Sequence, residues 1–314
     1  MGAAGSSTGG LAAARELLIE KANEDENDAL DVESVDMLLK KLGPGIQRAR
    51  GDAMHFTCRN LSDMDVAALA ALVVLQPLKC TEVVSINLSH NMLGDASAVA
   101  LGEAMLTGAP SLRKLQLHEN RIGSPGFAAL TKAMRPGAAP GIECLRVAYN
   151  RIDDEGMLAL ADAFAEGGAL QLLEVHVGGN DIGDAGLAAI AARLDSAPKL
   201  QSLAFGSSST GNRVDDEGAK ALVEALASSA ARVGPLVINL KNQQMTGVGE
   251  AHLDSCSAPN VRITYSKQMY DGSSPGKQGV PDTPTSSPPP SRTNSEPNSR
   301  AITPPQTPSS LLEA

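Results

Sequence analysis

Apolar and polar positions recur along this chain in a fixed order. Before Asn120 stand Leu112, Leu115 and Leu117; before Asn150, Ile142, Leu145 and Val147; before Asn180, Leu172, Val175 and Val177. Counted from the asparagine these are minus 8, minus 5 and minus 3, and the last pair alternates with a polar residue as a strand does. An apolar residue follows at plus 2: Leu93, Ile122, Ile152, Ile182 and Val214. Leu101, Leu130, Leu160, Ile190 and Leu222 stand at plus 10, with Met105, Met134, Phe164, Leu194 and Leu226 four residues later. A four-residue step is helical. The pattern predicts a short strand, a turn at the asparagine and a helix, repeated.

The asparagines Asn91, Asn120, Asn150, Asn180 and Asn212 are 29, 30, 30 and 32 residues apart. Weaker copies place Arg59 and Gln243 in the same slot, giving about seven copies over residues 51–266. One strand–helix unit leaves two apolar faces bare and can bury them only against its neighbours. The spacing LxxLxLxxN resembles that of leucine-rich repeats. The period of about 30, with room for a full helix, is similar to the ribonuclease-inhibitor type, shared with RanGAP-like and NOD-like receptor repeats. The resemblance covers roughly two thirds of the chain. It implies an α/β solenoid, a horseshoe with parallel strands on the concave face and helices on the convex face. It also implies a protein-binding scaffold. The alternative it offers is a RanGAP-like GTPase activator, although that family ends in a strongly acidic region and this chain in a neutral Ser/Pro segment. A nucleotide switch of the NOD-like kind needs a GxxxxGK[ST] loop, which the sequence does not contain.

The polar turn residues have structural work to do. A slot asparagine offers amide donors and a carbonyl to bare backbone groups where the chain leaves the strand, and stacked copies would form a ladder. Asp95, Ser124, Asp154, Asp184 and Asp216, at plus 4, are expected to N-cap their own helices. Gly126, Gly156, Gly186 and Gly218, at plus 6, suit close packing. The dense cluster YNRIDDEG (149–156) therefore separates into turn, core and helix-start residues. It lacks the alternating ligand spacing of a calcium loop, and no catalytic residue is assigned.

Flanking the repeats, residues 1–50 are expected to form a flexible start and a helical N-terminal cap, with helical patterns at 11–22 and 31–43. Residues 267–314 are rich in Ser, Pro and Thr and are expected to be a disordered tail. Proline follows Ser274, Thr283, Ser287, Thr303 and Thr307, which makes them candidates for phosphorylation. RTNSEP (292–297) looks like a 14-3-3 site once Ser295 is phosphorylated.

Composition narrows the reading. Hydrophobic residues make up 42% and aromatics 2%, so the core must be aliphatic and built in thin layers. The net charge of −10 lies wholly in residues 1–266 and argues against nucleic acid or an anionic membrane as partner. Cys58, Cys80, Cys144 and Cys256 form no CxxC pair, so neither zinc nor a disulfide framework is expected, and no cofactor. The first residues lack the pattern of a secretory signal. Gly2 and Ser6 fit a loose myristoylation motif, but without a basic cluster to supply a second anchor. The expected location is the cytoplasm.

On the implied architecture, positions minus 6, minus 4, minus 2 and minus 1 face outward on the concave side. They include Ser89, Cys144, Gly178 and Ala204. The candidate partner-binding patch is His90, Gln116, His118, Glu119, Arg146, Tyr149 and His176, because Tyr, Arg and uncharged His serve well at interfaces. The near-bare run Ala148, Gly178, Gly179 and Gly206 would either let a partner's backbone approach closely or bind nothing. GSSSTG (206–211) reads as a tolerated loop insertion.

Overall fold

The computed structural model describes residues 16, 36–42, 53–74, 83–107, 111–134, 141–167, 171–207, 211–228 and 234–266. Strands β1 (Ala53–His55), β2 (Ser85–Asn87), β3 (Lys114–Gln116), β4 (Cys144–Arg146), β5 (Glu174–His176), β6 (Ser202–Ala204), β7 (Leu236–Leu240) and β8 (Val261–Tyr265) form one parallel sheet in sequence order. Between them run α1 (Asp63–Val74), α2 (Asp95–Thr107), α3 (Ser124–Lys132), α4 (Asp154–Ala165), α5 (Asp184–Ala191), α6 (Asp216–Ser228) and α7 (Gly247–Asp254), each packed on the next. Sequential order is forced by the repeat: a right-handed strand–helix–strand crossover returns each strand beside the last one.

Every apolar position of the pattern that is described lies in one continuous core. The minus 8, minus 5 and minus 3 residues of β3, β4 and β5 are at most 2% exposed, and the plus 2 residues are fully buried. The four phenylalanines, Phe56, Phe127, Phe164 and Phe205, are fully buried too. Ahead of the first strand, residues 36–42 are helical; Leu38 and Leu42 are buried, and Lys41 Nζ bonds Asp65 at 3.0 and 3.2 Å. This matches the end of the expected N-terminal helical pattern. The 11–22 pattern lies outside the described residues apart from Glu16, which is helical.

The slot asparagines bond backbone rather than one another. Asn180 Oδ1 accepts from the N–H groups of Asn150 and Ile152 at 3.2 and 3.0 Å, while its Nδ2 donates to the carbonyls of Val147 and Val177 at 3.0 and 2.8 Å. Asn91, Asn150 and Asn212 likewise bridge their own turn and that of the preceding repeat. Gln243 ends the series. Its Nε2 reaches Phe205 O at 3.2 Å, but its buried Oε1 has no partner among the described residues.

The expected N-caps are corrected by the structure. Asp95, Asp154, Asp184 and Asp216 are the first residues of their helices, and each carboxylate accepts from the helix start of the following repeat. Asp95 takes the N–H of Gly123 at 2.6 Å; Asp154 takes those of Gly183 and Gly186 at 2.7 and 2.9 Å; Asp216 takes those of Thr246 and Gly249 at 2.7 and 2.9 Å. The caps of their own helices are Asp153 for α4, which accepts from Glu155 N–H, and the backbone of Gly123 and Gly183 for α3 and α5. Ser124, also expected as a cap, instead donates to Asp153 at 2.5 Å. The physical reason is reach. A plus 4 side chain stacks toward the next layer, where another helix presents its free N–H groups.

That geometry explains the plus 6 glycines. A Cβ on Gly126 would sit 2.8 Å from the Asp95 backbone, and one on Gly186 would lie 2.6 Å from Asp154 Oδ1. In the first such link Ser97 occupies this place and donates its hydroxyl to Asp63.

One junction places two carboxylates together. Asp215 N–H donates to Asp184 Oδ1 at 2.9 Å. Burial, and then the neighbouring Asp215 carboxylate, push the Asp184 carboxyl above its ordinary range. Elsewhere a hydroxyl supplies the proton, from Ser124 or from Thr246 to Asp216 at 2.5 Å. A carboxyl raised by folding holds its proton more tightly in the native chain. Its contribution to stability is therefore present at low pH and lost as pH rises through the raised pKa. Asp184→Asn should donate to Asp215 without that cost. We expect a gain of a few tenths of a kcal/mol near neutral pH, after solvent screening, that vanishes toward about pH 4. Thermal melts at the two pH values check it.

Candidate functional site

The strand register defines the outward rows. Asn87, Gln116, Arg146, His176 and Ala204 are direct partners across β2 to β6, and Ser85, Lys114, Cys144, Glu174 and Ser202 form the parallel row. Gln116, Arg146 and His176 of the predicted patch are thus lateral neighbours on three consecutive strands. Adjacent strands lie about 4.8 Å apart, close enough for these side chains to act together.

The minus 1 residues share a backbone feature absent from any hydrophobic pattern. Cys58, His90, Glu119, Tyr149 and Asn242 have φ between 54° and 57°, and Gly179 has φ 69°. A left-handed residue follows each of these six strands and swings the chain into the turn. For a non-glycine residue this costs roughly 1 kcal/mol. His90, Glu119 and Tyr149 are placed at the end of the strands by that turn.

Side-chain contacts knit this surface together. His90 Nδ1 lies 2.8 Å from Glu119 Oε2, and the rings of His90 and His118 meet edge to face at 5.1 Å. Ser89 Oγ and His118 Nδ1 share a hydrogen bond of 2.7 Å. Ser89 is fully buried and Glu119 pairs with the other histidine, so the set is not arranged as a nucleophile with its base. Arg146 Nη2 bonds Glu174 Oε2 at 3.3 Å, and Cys144 Sγ lies 3.5 Å from the same oxygen. Arg146 Nε is buried without a partner among the described residues.

The electrostatics follow from this crowding. Burial, then the nearby His90, hold His118 below the usual histidine pKa; burial, then Arg146, do the same for His176. Burial pushes the Cys144 thiol up. Burial opposes ionisation of Glu174 as well, but the bonds from Arg146 and Cys144 outweigh it and hold that carboxyl below its ordinary value.

Several expected outward positions are covered by their neighbours. Ser89, Cys144, Gly178 and Ala204 are buried. The bare run has an internal cause: a Cβ on Gly178 would sit 2.4 Å from Gly206 O, and one on Gly206 would sit 2.5 Å from Lys241 N. Backbone crowds there because β6 leads into the GSSSTG insertion. Its residues 208–210 lie outside the described residues, while Asn242 Nδ2 donates to Ser207 O at 2.8 Å. Sequence reasoning left Glu174 out of the patch; it stands beside Cys144 in register and so lies diagonal to Arg146. The phosphorylation candidates Ser274, Thr283, Ser287, Ser295, Thr303 and Thr307 lie outside the described residues. Among the described residues no group of three or more His, Cys, Asp or Glu is placed to hold a metal ion, and no helix is long and apolar enough to cross a membrane.

A parallel sheet in chain order, one helix per strand and an asparagine bridging successive turns define a repeat solenoid that displays its strands. The leucine-rich repeat family model matches residues 142–161, 171–191 and 210–223. The fold is a leucine-rich-repeat solenoid, and the matched segments carry that repeat. Similar solved structures include an internalin from Listeria monocytogenes (17% identity, TM-score 0.37, covering 69% of this chain and 54% of that one). The Arabidopsis receptor kinase HAESA, solved with the peptide hormone IDA and the co-receptor SERK1, shows 14% identity and a TM-score of 0.26, covering 62% of this chain and 35% of that one. The PEPR1–AtPEP1 structure shows 15% identity and a TM-score of 0.28, covering 63% and 30%. This chain therefore spans about half or less of the length of these structures. No curated protein matches it significantly.

Proposed function

We propose that this chain is a non-enzymatic scaffold, of the ribonuclease-inhibitor type of repeat, that captures protein partners on its concave face in the cytoplasm. The observation that carries the reading is the lateral row Gln116, Arg146 and His176, flanked by His90, His118, Glu119 and Tyr149 at the strand ends. These side chains are partly exposed and face away from a core that is already filled. Tyr and Arg are the residue types that most often anchor interfaces. Phosphorylation of the Ser/Pro-rich segment, including a 14-3-3 site at Ser295, would regulate capture by adding charge.

Tyr149→Ala combined with Arg146→Ala is the test. Pull-down from cell extract with the full chain as bait should lose its specific protein partners. The thermal midpoint should move little, since neither side chain is part of the core. Undiminished capture by the double variant would remove the patch. Acceleration of GTP hydrolysis across a panel of small GTPases would replace the scaffold with a GTPase activator.

A further inference from the structure

The chain carries a net charge of −10, yet at the rim of the β3 to β5 face stand two exposed arginines, Arg121 and Arg151, that no acid pairs among the described residues. The acids of that face are already engaged. Glu119 is held by His90 at 2.8 Å, Glu143 by Arg113 at 3.8 Å and Glu174 by Arg146 at 3.3 Å. Arg146 commits Nη2 to Glu174, and its Nε is buried without a partner among the described residues. His118 feels the charges of His90, Glu119, Arg146 and His176, and His176 those of Arg146 and Glu174, so these groups form one cluster. Just beyond the strand ends, Arg121 and Arg151 occupy plus 1 of consecutive repeats. Both are exposed, and neither makes an ion pair among the described residues; Asp181 holds the same position one repeat on.

We propose that this face binds an oxyanion-bearing peptide segment, with Arg146 at the centre and Arg121 and Arg151 at the rim. The inference rests on the scaffold reading and gives the partner's chemistry. An acidic segment is repelled by most of this domain and finds its favourable potential here. Guanidinium groups match carboxylate and phosphate oxygens in geometry as well as charge. A long nucleic acid would have to run beyond these strands into the acidic remainder of the domain, which a short peptide avoids. A bound oxyanion favours the protonated forms of His118 and His176, so affinity rises as pH falls. His90, Glu119 and Glu174 face the same cluster.

The test is fluorescence anisotropy on the full chain with labelled peptides: one Glu-rich, one carrying phosphoserines in their place, one neutral, together with a single-stranded oligonucleotide. Either anionic peptide should bind about tenfold or more tightly than the neutral one, and added salt should weaken it. The tighter of the two identifies carboxylate or phosphate as the natural group. Arg121→Gln with Arg151→Gln, or Arg146→Gln alone, should weaken binding by about tenfold. Lys132→Gln with Lys220→Gln, equal in charge but on the helix side, should leave it unchanged. Binding should tighten severalfold between about pH 7.5 and about pH 5.5, and His118→Gln with His176→Gln should reduce that gain. Equal binding of the neutral peptide, preference for the oligonucleotide, or equal sensitivity to the lysine pair would overturn the inference. If protein capture still requires Tyr149 and Arg146 while anionic peptides fail, the anion proposal falls and the scaffold reading stands.

Discussion

Asn180→Ala should lower the stability of the repeat domain by about 3 kcal/mol. The side chain satisfies two N–H groups and two carbonyls, all buried, and alanine satisfies none. Each buried group left unpaired costs on the order of 1–3 kcal/mol, reduced where a water molecule enters. Chemical denaturation with a single transition would measure it. Asn180→Asp separates hydrogen bonding from shape. It keeps an acceptor for Asn150 and Ile152 but turns a carboxylate oxygen toward the carbonyls of Val147 and Val177. At neutral pH it should destabilise at least as much as alanine. Its carboxyl would be raised in the folded state, so its stability should recover as pH falls through that raised value. Alanine should show no comparable recovery. Equal pH dependence in the two variants would mean that Asn180 does not donate to those carbonyls.

Gly126→Ala should cost about 2–3 kcal/mol, a large effect for one methyl group. The added Cβ meets the Asp95 backbone at 2.8 Å and Ala98 Cβ at 3.0 Å, so two helices must move apart. The same movement draws Asp95 away from Gly123 N–H. Gly247→Ala is the matched comparison. Its Cβ would meet nothing within 4 Å, and the change should fall within about 0.5 kcal/mol of neutral. Similar melting temperatures for the two variants would show that the helices have slack at Gly126.

Much of this fold was legible because a repeat states each requirement several times. Leu115, Leu145 and Val175 occupy equivalent positions, and each is fully buried. The asparagine slot announced its backbone role for the same reason. The aspartates at plus 4 were misassigned because a sequence shows distance along the chain, not across layers. Asp154 is close in sequence to its own helix start, yet its carboxylate serves Gly183 and Gly186. The candidate site was legible as a set of rows but not as an arrangement. Nothing in the residue types of His90, Glu119 and Tyr149 announces a left-handed backbone, because side chains other than glycine rarely favour it. Nor does spacing reveal that Gly178 is bare because Gly206 O presses on it. The pairing of Arg146 with Glu174 is diagonal, running across the Cys144–Glu174 and Arg146–His176 partners, and spacing along the chain does not announce it.

The two ladders run in opposite directions. The turn of each repeat is completed by the asparagine that comes after it: Ile152 N–H waits for Asn180. The helix start of each repeat is completed by the aspartate that comes before it: Gly183 N–H waits for Asp154. At the front of the series Ser62 and Asp65 close the helix start locally, with Ser62 N–H donating to Asp65 at 2.7 Å. At the back, Gln243 leaves its carbonyl oxygen without a partner among the described residues. Gene duplication meets this asymmetry directly. A copy inserted in the middle of the array inherits a donor on one side and an acceptor on the other. A copy added at either end inherits only one of them, so the array lengthens most safely from within.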